Sequence, residues 1–166
     1  KKLTKYSNRP DVLVLALPRG GVPVGYEVAQ ALNAPLDVFM VRKLGVPGHE
    51  ELAMGAIASG GVRVLNGDVV EGLNIPDDVL GAVAARELRE LARRERVYRD
   101  DGPAPAVQGR TIILVDDGIA TGSTMRAAVE ALRQLEASRI VVATPTAALS
   151  TVREMRLAVD EFVAVM

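Results

Sequence analysis

The chain has 166 residues, 49% of them apolar and 25% charged, and its 20 Lys plus Arg against 21 Asp plus Glu leave a formal net charge of −1. This balance excludes wholesale disorder and a globally polybasic nucleic-acid binder, and the length fits one domain that buries a core without metal or disulfide staples. Zero cysteines exclude disulfide scaffolds, cysteine-ligated zinc and thiol catalysis, and a single histidine, His49, excludes any site that needs two His ligands.

Short apolar runs alternate with helical patterns along the whole chain. Residues 12–17 form a continuous apolar run, as expected of a strand covered on both faces. The turn PRGG at 18–21 follows, then a helical pattern through Val24, Val28 and Leu32. Residues 36–41 read as a second buried strand. Residues 55–59 and 62–65, joined across Gly60-Gly61, read as a small hairpin. Residues 66–109 break the rhythm as a helical insertion. Its long helix begins after Pro76, with Asp77 and Asp78 in the first turn, and is stopped by Asp101-Gly102-Pro103. That helix carries six arginines (Arg86, Arg89, Arg93, Arg94, Arg96, Arg99) against Glu87, Glu90 and Glu95, a mixed-sign pattern typical of a solvated face. Residues 111–115 are again a buried strand, followed by a loop and a helix over 123–135. A strand over 140–143, a helix over 149–158 and a last strand over 162–165 complete the chain. The expected class is α/β: a mostly parallel twisted sheet flanked by helices, with a small hairpin and a helical insertion. One domain over 1–166, truncated at its ends, is expected, because the first residue is Lys1 and the chain stops on a strand. No apolar run approaches the ~20 residues of a membrane span and no signal-peptide pattern opens the chain, so a cytoplasmic location and no membrane partner are expected.

The informative stretch is ILVDDGIATGST, residues 113–124. A plain strand-to-helix connection capped by Asp and Thr is the bland account. Against it, Asp116 and Asp117 lie at the carboxyl end of a parallel strand, where open α/β sheets bind ligands, and adjacent carboxylates repel unless a cation or hydroxyl engages them. Thr121, Gly122, Ser123 and Thr124 then offer successive backbone N–H groups and three hydroxyls at a helix N-terminus, which is an anion cradle. Gly118 and Ala120 keep the loop small. Carboxylates for sugar hydroxyls beside a nest for a phosphate suit a ribose 5-phosphate. No G-x-G-x-x-G follows a strand and no G-x-x-x-x-G-K-[ST] occurs, so dinucleotide and ATP sites fit worse.

The segment 113–124 resembles the signature of the type I phosphoribosyltransferases, in the version closest to adenine phosphoribosyltransferases. The resemblance implies that Asp116 and Asp117 hold the ribose hydroxyls of phosphoribosyl pyrophosphate, and that Gly118 and Ala120 to Thr124 hold its 5-phosphate. Two further segments follow in family order. ALPRGG at 16–21 resembles the pyrophosphate loop, with Arg19 on pyrophosphate oxygens and Gly20 and Gly21 opening backbone donors; a tight turn is the alternative for these glycines. VRKLGVPGHEE at 41–51 resembles the Arg-Lys segment that leads into a closing loop, which makes Arg42 and Lys43 catalytic and pyrophosphate-binding candidates and His49, Glu50 and Glu51 flexible-loop candidates. The likeness is nearest to a bacterial group of phosphoribosyltransferases whose members are sometimes fused to a further domain, and it extends over residues 11–165.

The implied reaction is Mg²⁺-dependent transfer of ribose 5-phosphate to a nitrogenous, purine-like acceptor with release of pyrophosphate. Mg²⁺ is the implied cofactor, and no direct protein ligand to it is assigned. Ala120 stands where 6-oxopurine enzymes carry an Asp, which argues against hypoxanthine or guanine. The 66–109 insertion is the candidate hood over the acceptor, whose identity stays open, as does a homodimer. Nucleic acid is not a favoured partner, because exposed aromatics for base stacking are few. A non-catalytic module that senses phosphoribosyl pyrophosphate or a nucleotide is the alternative.

Overall fold

The computed structural model describes residues 1–100 and 102–165; Asp101, expected in the turn that stops the long helix, lies outside the described residues. In chain order the elements are a 3-10 turn (Thr4–Tyr6), β1 (Val12–Ala16), α1 (Gly21–Leu32), β2 (Leu36–Val38), β3 (Val41–Val46), β4 (His49–Ala58), β5 (Val62–Leu65), α2 (Gly67–Gly72), α3 (Asp77–Arg99), β6 (Thr111–Val115), α4 (Ser123–Gln134), β7 (Arg139–Thr144), α5 (Leu149–Ala158) and β8 (Glu161–Ala164). They fall into two compact units, Lys1–Phe39 with Pro105–Met166, and Met40–Ala104. The helical segment expected at 66–109 thus belongs, as far as Ala104, to a unit that already begins at Met40.

The first unit is a five-stranded sheet in the order β2-β1-β6-β7-β8, with every neighbouring pair parallel. All five residues of β1 and all five of β6 are buried, which explains why β1 and residues 112–115 of β6 are unbroken apolar runs rather than alternating ones. α1 packs through Gly21, Gly25, Ala29 and Leu32, a three-to-four-residue spacing that puts all four on one face. It ends at Asn33, whose left-handed φ of 52° closes the last turn. From β1 the chain moves to β2 on one side, whereas β6, β7 and β8 lie on the other. The β1–β6 junction is therefore where the winding reverses, and ligands of open α/β sheets bind outside the carboxyl ends of the strands at such a point.

The second unit is an antiparallel sheet β3-β4-β5 with α2 and α3. Met54, Ile57 and Leu44 pack with Leu80, Val83 and Leu91 of α3 in its core. The arginines of α3 are largely paired: Arg93 and Arg94 on Glu90, Arg99 on Glu95. Arg93 and Arg94 hold the Glu90 carboxyl down at about 2, well below the ordinary range. This matches the solvated mixed-charge face read from the sequence.

Two expectations need correction. The strand expected over 36–41 is two elements. β2 stops at Val38, the Phe39 N–H still bonds to the Ala16 carbonyl, and Met40 opens the second unit. Val38, Phe39 and Met40 are all buried, so hydropathy does not interrupt where the sheet does. The loop expected after Arg42-Lys43 is also different: VRKLGVPGHEE is the β3–β4 hairpin, turning at Pro47-Gly48, so His49, Glu50 and Glu51 are exposed residues of β4. Among the described residues, no helix is long and apolar enough to cross a membrane.

Candidate functional site

The connections after β1 and β6 meet at the reversal point of the first sheet. After Val115 the chain leaves the core with Asp116 half-buried and Asp117 exposed. The Asp117 N–H donates to Asp116 Oδ1 at 2.8 Å, a turn that holds the two carboxylates side by side. Burial pushes the Asp116 carboxyl up to about 6; the Asp117 N–H opposes that rise and the Asp117 carboxylate adds to it. A group so placed favours a proton or a cation.

The next residues form the cradle. Gly122 has φ +81° and is the N-cap position of α4, with no side-chain cap. A Cβ there would come within 2.8 Å of the Thr151 methyl and 3.0 Å of Arg126 Nη1, so both backbone and space require glycine. Thr121, Ser123 and Thr124 are exposed around it. Among the described residues no protein acceptor takes the N–H of Thr121, Gly122 or Thr124. Free N–H groups at the positive end of a twelve-residue helix are a ready anion site.

The connection after β1 closes against this loop. Its Pro18-Arg19 peptide is cis. Gly20, with an ordinary helical φ of −61°, is the N-cap position of α1, again without a side-chain cap. A Cβ on Gly20 would overlap the Asp117 carboxylate, and one on Gly21 would lie 2.6 Å from the Val115 carbonyl. These glycines thus serve close approach of two segments, and the tight-turn alternative does not account for them. Arg19 is exposed. Two uncapped helix N-termini, an exposed guanidinium and a carboxylate pair are gathered at one sheet junction.

The remaining candidates lie in the second unit. Arg42 donates to Glu87 of α3 through Nε at 2.9 Å and through Nη2 at 2.8 Å, with both side chains largely shielded. Lys43 Nζ bonds to the Glu51 carbonyl at 2.9 Å. Successive strand residues point to opposite faces, so Arg42 and Lys43 project from opposite faces of the β3-β4-β5 sheet. The Glu50 carboxyl is held below its usual range by its own N–H and that of Gly48. The sequence reading missed Thr151, which is buried and donates to the Ala120 carbonyl at 2.5 Å. A threonine in the first turn of a helix carries no sequence signal that would have singled it out.

A parallel sheet with an acidic pair and an uncapped helix N-terminus at its reversal point is the arrangement of a phosphoribosyltransferase-type domain. The family model described as the phosphoribosyl transferase domain matches residues 1–161, and the chain belongs to that family. A Mycobacterium tuberculosis H37Rv protein named as a candidate phosphoribosyl transferase is 52% identical over 134 residues, which is 81% of this chain and 30% of that relative. This chain therefore corresponds to less than a third of that relative's length. "Bifunctional protein PyrR" of Chloroflexus aurantiacus is 35% identical over 120 residues, 70% of this chain and 59% of its own length. Among solved structures, the crystal structure of TT1426 from Thermus thermophilus superposes with a TM-score of 0.75 at 41% identity, covering 95% of this chain and 74% of that one. A crystal structure of adenine phosphoribosyltransferase shares the fold, with a TM-score of 0.51 at 18% identity over 99% of this chain and 74% of that one.

Proposed function

We propose that this chain carries a phosphoribosyltransferase activity, moving ribose 5-phosphate from phosphoribosyl pyrophosphate to a nitrogenous acceptor. The observation that carries it is the meeting of Asp116-Asp117, the 118–124 cradle and the Arg19-Gly20-Gly21 turn at the β1–β6 junction. In the reaction the bond from the anomeric carbon to pyrophosphate breaks, a bond to the acceptor nitrogen forms, and the acceptor loses a proton. The protein's task is electrostatic and positional. The cradle's N–H groups fix the 5-phosphate. Asp116 and Asp117 hold the ribose hydroxyls and face the positive charge that develops on the ring. Arg19 and the α1 N-terminus balance the departing pyrophosphate. The roles of Arg42 and Lys43 rest on the family resemblance alone.

Mg²⁺ fits these residues. Among the described residues there is no cluster of three or more His, Asp or Glu to cage a metal. Mg²⁺ takes most of its oxygens from substrate and water, and an adjacent carboxylate pair suits that mode. When bound it would neutralise pyrophosphate charge. The cytoplasm remains the proposed location, and a purine-like base the proposed acceptor.

A sensing module that binds the same ligand without turnover is the second reading, favoured by the engagement of Arg42 with Glu87, since a sensor need not stabilise the leaving group. NMR of phosphoribosyl pyrophosphate with Mg²⁺ and a panel of bases and amines separates the two. Acceptor-dependent loss of the anomeric proton signal, with release of pyrophosphate, is expected of the enzyme. Binding without consumption for every acceptor would leave only the sensor, and no binding would sink both.

A further inference from the structure

The phosphate loop is braced from one side by the segment after β7. Ile119 N–H donates to the Thr146 carbonyl at 3.1 Å, and Ala148 N–H returns a bond to the Ile119 carbonyl at 3.1 Å. Thr144 Oγ1 in turn donates to the Thr146 carbonyl at 2.9 Å. The last rung is a side chain: Thr151 Oγ1 donates to the Ala120 carbonyl at 2.5 Å. The Thr151 methyl lies on the Cα side of Gly122, in the space a Cβ would need. Thr151 is 4% exposed and stiff at χ1, so one rotamer serves both contacts.

The consequence follows from peptide geometry. In a planar trans peptide the C=O of one residue and the N–H of the next point in opposite directions. Holding the Ala120 carbonyl on Thr151 therefore aims the Thr121 N–H away from α5, and among the described residues no protein acceptor meets it. We propose that Thr151 is a positioning residue for phosphate binding: its hydroxyl fixes the Ala120–Thr121 peptide so that the Thr121 N–H faces the ligand phosphate. This rests on the phosphate-loop reading above. The neighbouring rungs at Ile119 do not use the hydroxyl and stay in place when it is gone. The fold then loses little, while the loop loses its fixed direction.

The test compares Thr151→Val, which keeps the shape and removes the hydroxyl, with Thr151→Ser, which keeps the hydroxyl. Calorimetric titration with ribose 5-phosphate and melting of the free protein are measured for both and for the unaltered chain. Thr151→Val should weaken ribose 5-phosphate about tenfold, as for one lost charge-assisted hydrogen bond, with Thr151→Ser restoring most of the affinity. Hydrogen exchange over residues 119–122 should quicken in Thr151→Val without ligand. Val binding like the unaltered protein, or Ser as weak as Val, would overturn the proposal, since a packing role follows the methyl and not the hydroxyl. If Thr151→Val does not fold, Thr151→Ala replaces it against Ser with the same two outcomes. Failure of the unaltered chain to bind ribose 5-phosphate is a separate result: it removes the phosphate-loop reading, and this inference with it.

Discussion

Asp116 and Asp117 are neighbours of the same chemistry in different surroundings, and the difference sets what each can do. Asp116 is drawn half into the molecule and its carboxyl rises to about 6 from an ordinary value of 3.8. Between those two values the folded protein binds more protons than the unfolded chain, so this group's contribution to stability is full below about pH 4 and is lost as pH rises through 6. Asp116→Asn should therefore remove that decline and leave the ligand-free protein more stable at pH 7–8, measured by urea unfolding across pH 4–8. Ligand that needs the carboxylate must expel a proton below pH 6. Its affinity should fall by up to about tenfold per pH unit there, and Asp116→Asn should abolish binding. A ligand affinity flat from pH 5 to 8 would remove Asp116 from the site. Gly20→Ala separates shape from stability at the same place. Its methyl collides with the movable end of Asp117, so the melting temperature should barely change while binding is lost. Gly122→Ala is the contrast: positive φ and the contact with Thr151 should cost about 1–2 kcal/mol of stability as well as binding. The sequence alone could not rank these glycines, because Gly20 and Gly21 look like turn residues and only the neighbouring strand's loop reveals why they are small.

Strands that cross the core were legible because burial on both faces makes them continuous apolar runs; β1, residues 112–115 of β6 and residues 140–143 of β7 are of this kind. The same signal misled at 36–41, where buried Phe39 and Met40 bridge two sheets without a polar or turn residue between them. It was silent at 49–51, because His49, Glu50 and Glu51 are all exposed and lack the alternation that marks a half-buried strand. Arg42 shows what that error implies. As a loop cation it would be free for a ligand, but as a β3 residue it is tied to Glu87 on α3. Arg42→Ala should strand a shielded carboxylate and cost about 1–3 kcal/mol in chemical unfolding. Arg42→Ala together with Glu87→Gln should recover part of that loss. A neutral Arg42→Ala with weakened pyrophosphate binding would instead place its guanidinium on the ligand.

Each unit has its own buried cluster, one around Val14, Ile113 and Val141, the other around Leu44, Met54 and Leu91. The segments that meet at the β1–β6 junction all come from the first, although 94 residues lie between Gly21 and Asp116 in the chain. A ligand held there binds the folded first unit and not the unfolded chain. Phosphoribosyl pyrophosphate with Mg²⁺ at 100 times its dissociation constant should then stabilise that unit by roughly 2.7 kcal/mol. Hydrogen exchange resolves where the stabilisation falls. Amides of residues 19–20, 118, 120–122 and 124, which meet no protein acceptor among the described residues, should gain the most protection, because ligand contacts replace water there. Amides in β1 and β6 should slow by up to about a hundredfold where their exchange needs the first unit to unfold. Core amides of β4 and α3 should slow equally only if the second unit unfolds in the same step. An unchanged exchange pattern at millimolar ligand would count against the junction as a ligand site, and protection confined to the second unit would move the site to the residues around Arg42 and Lys43.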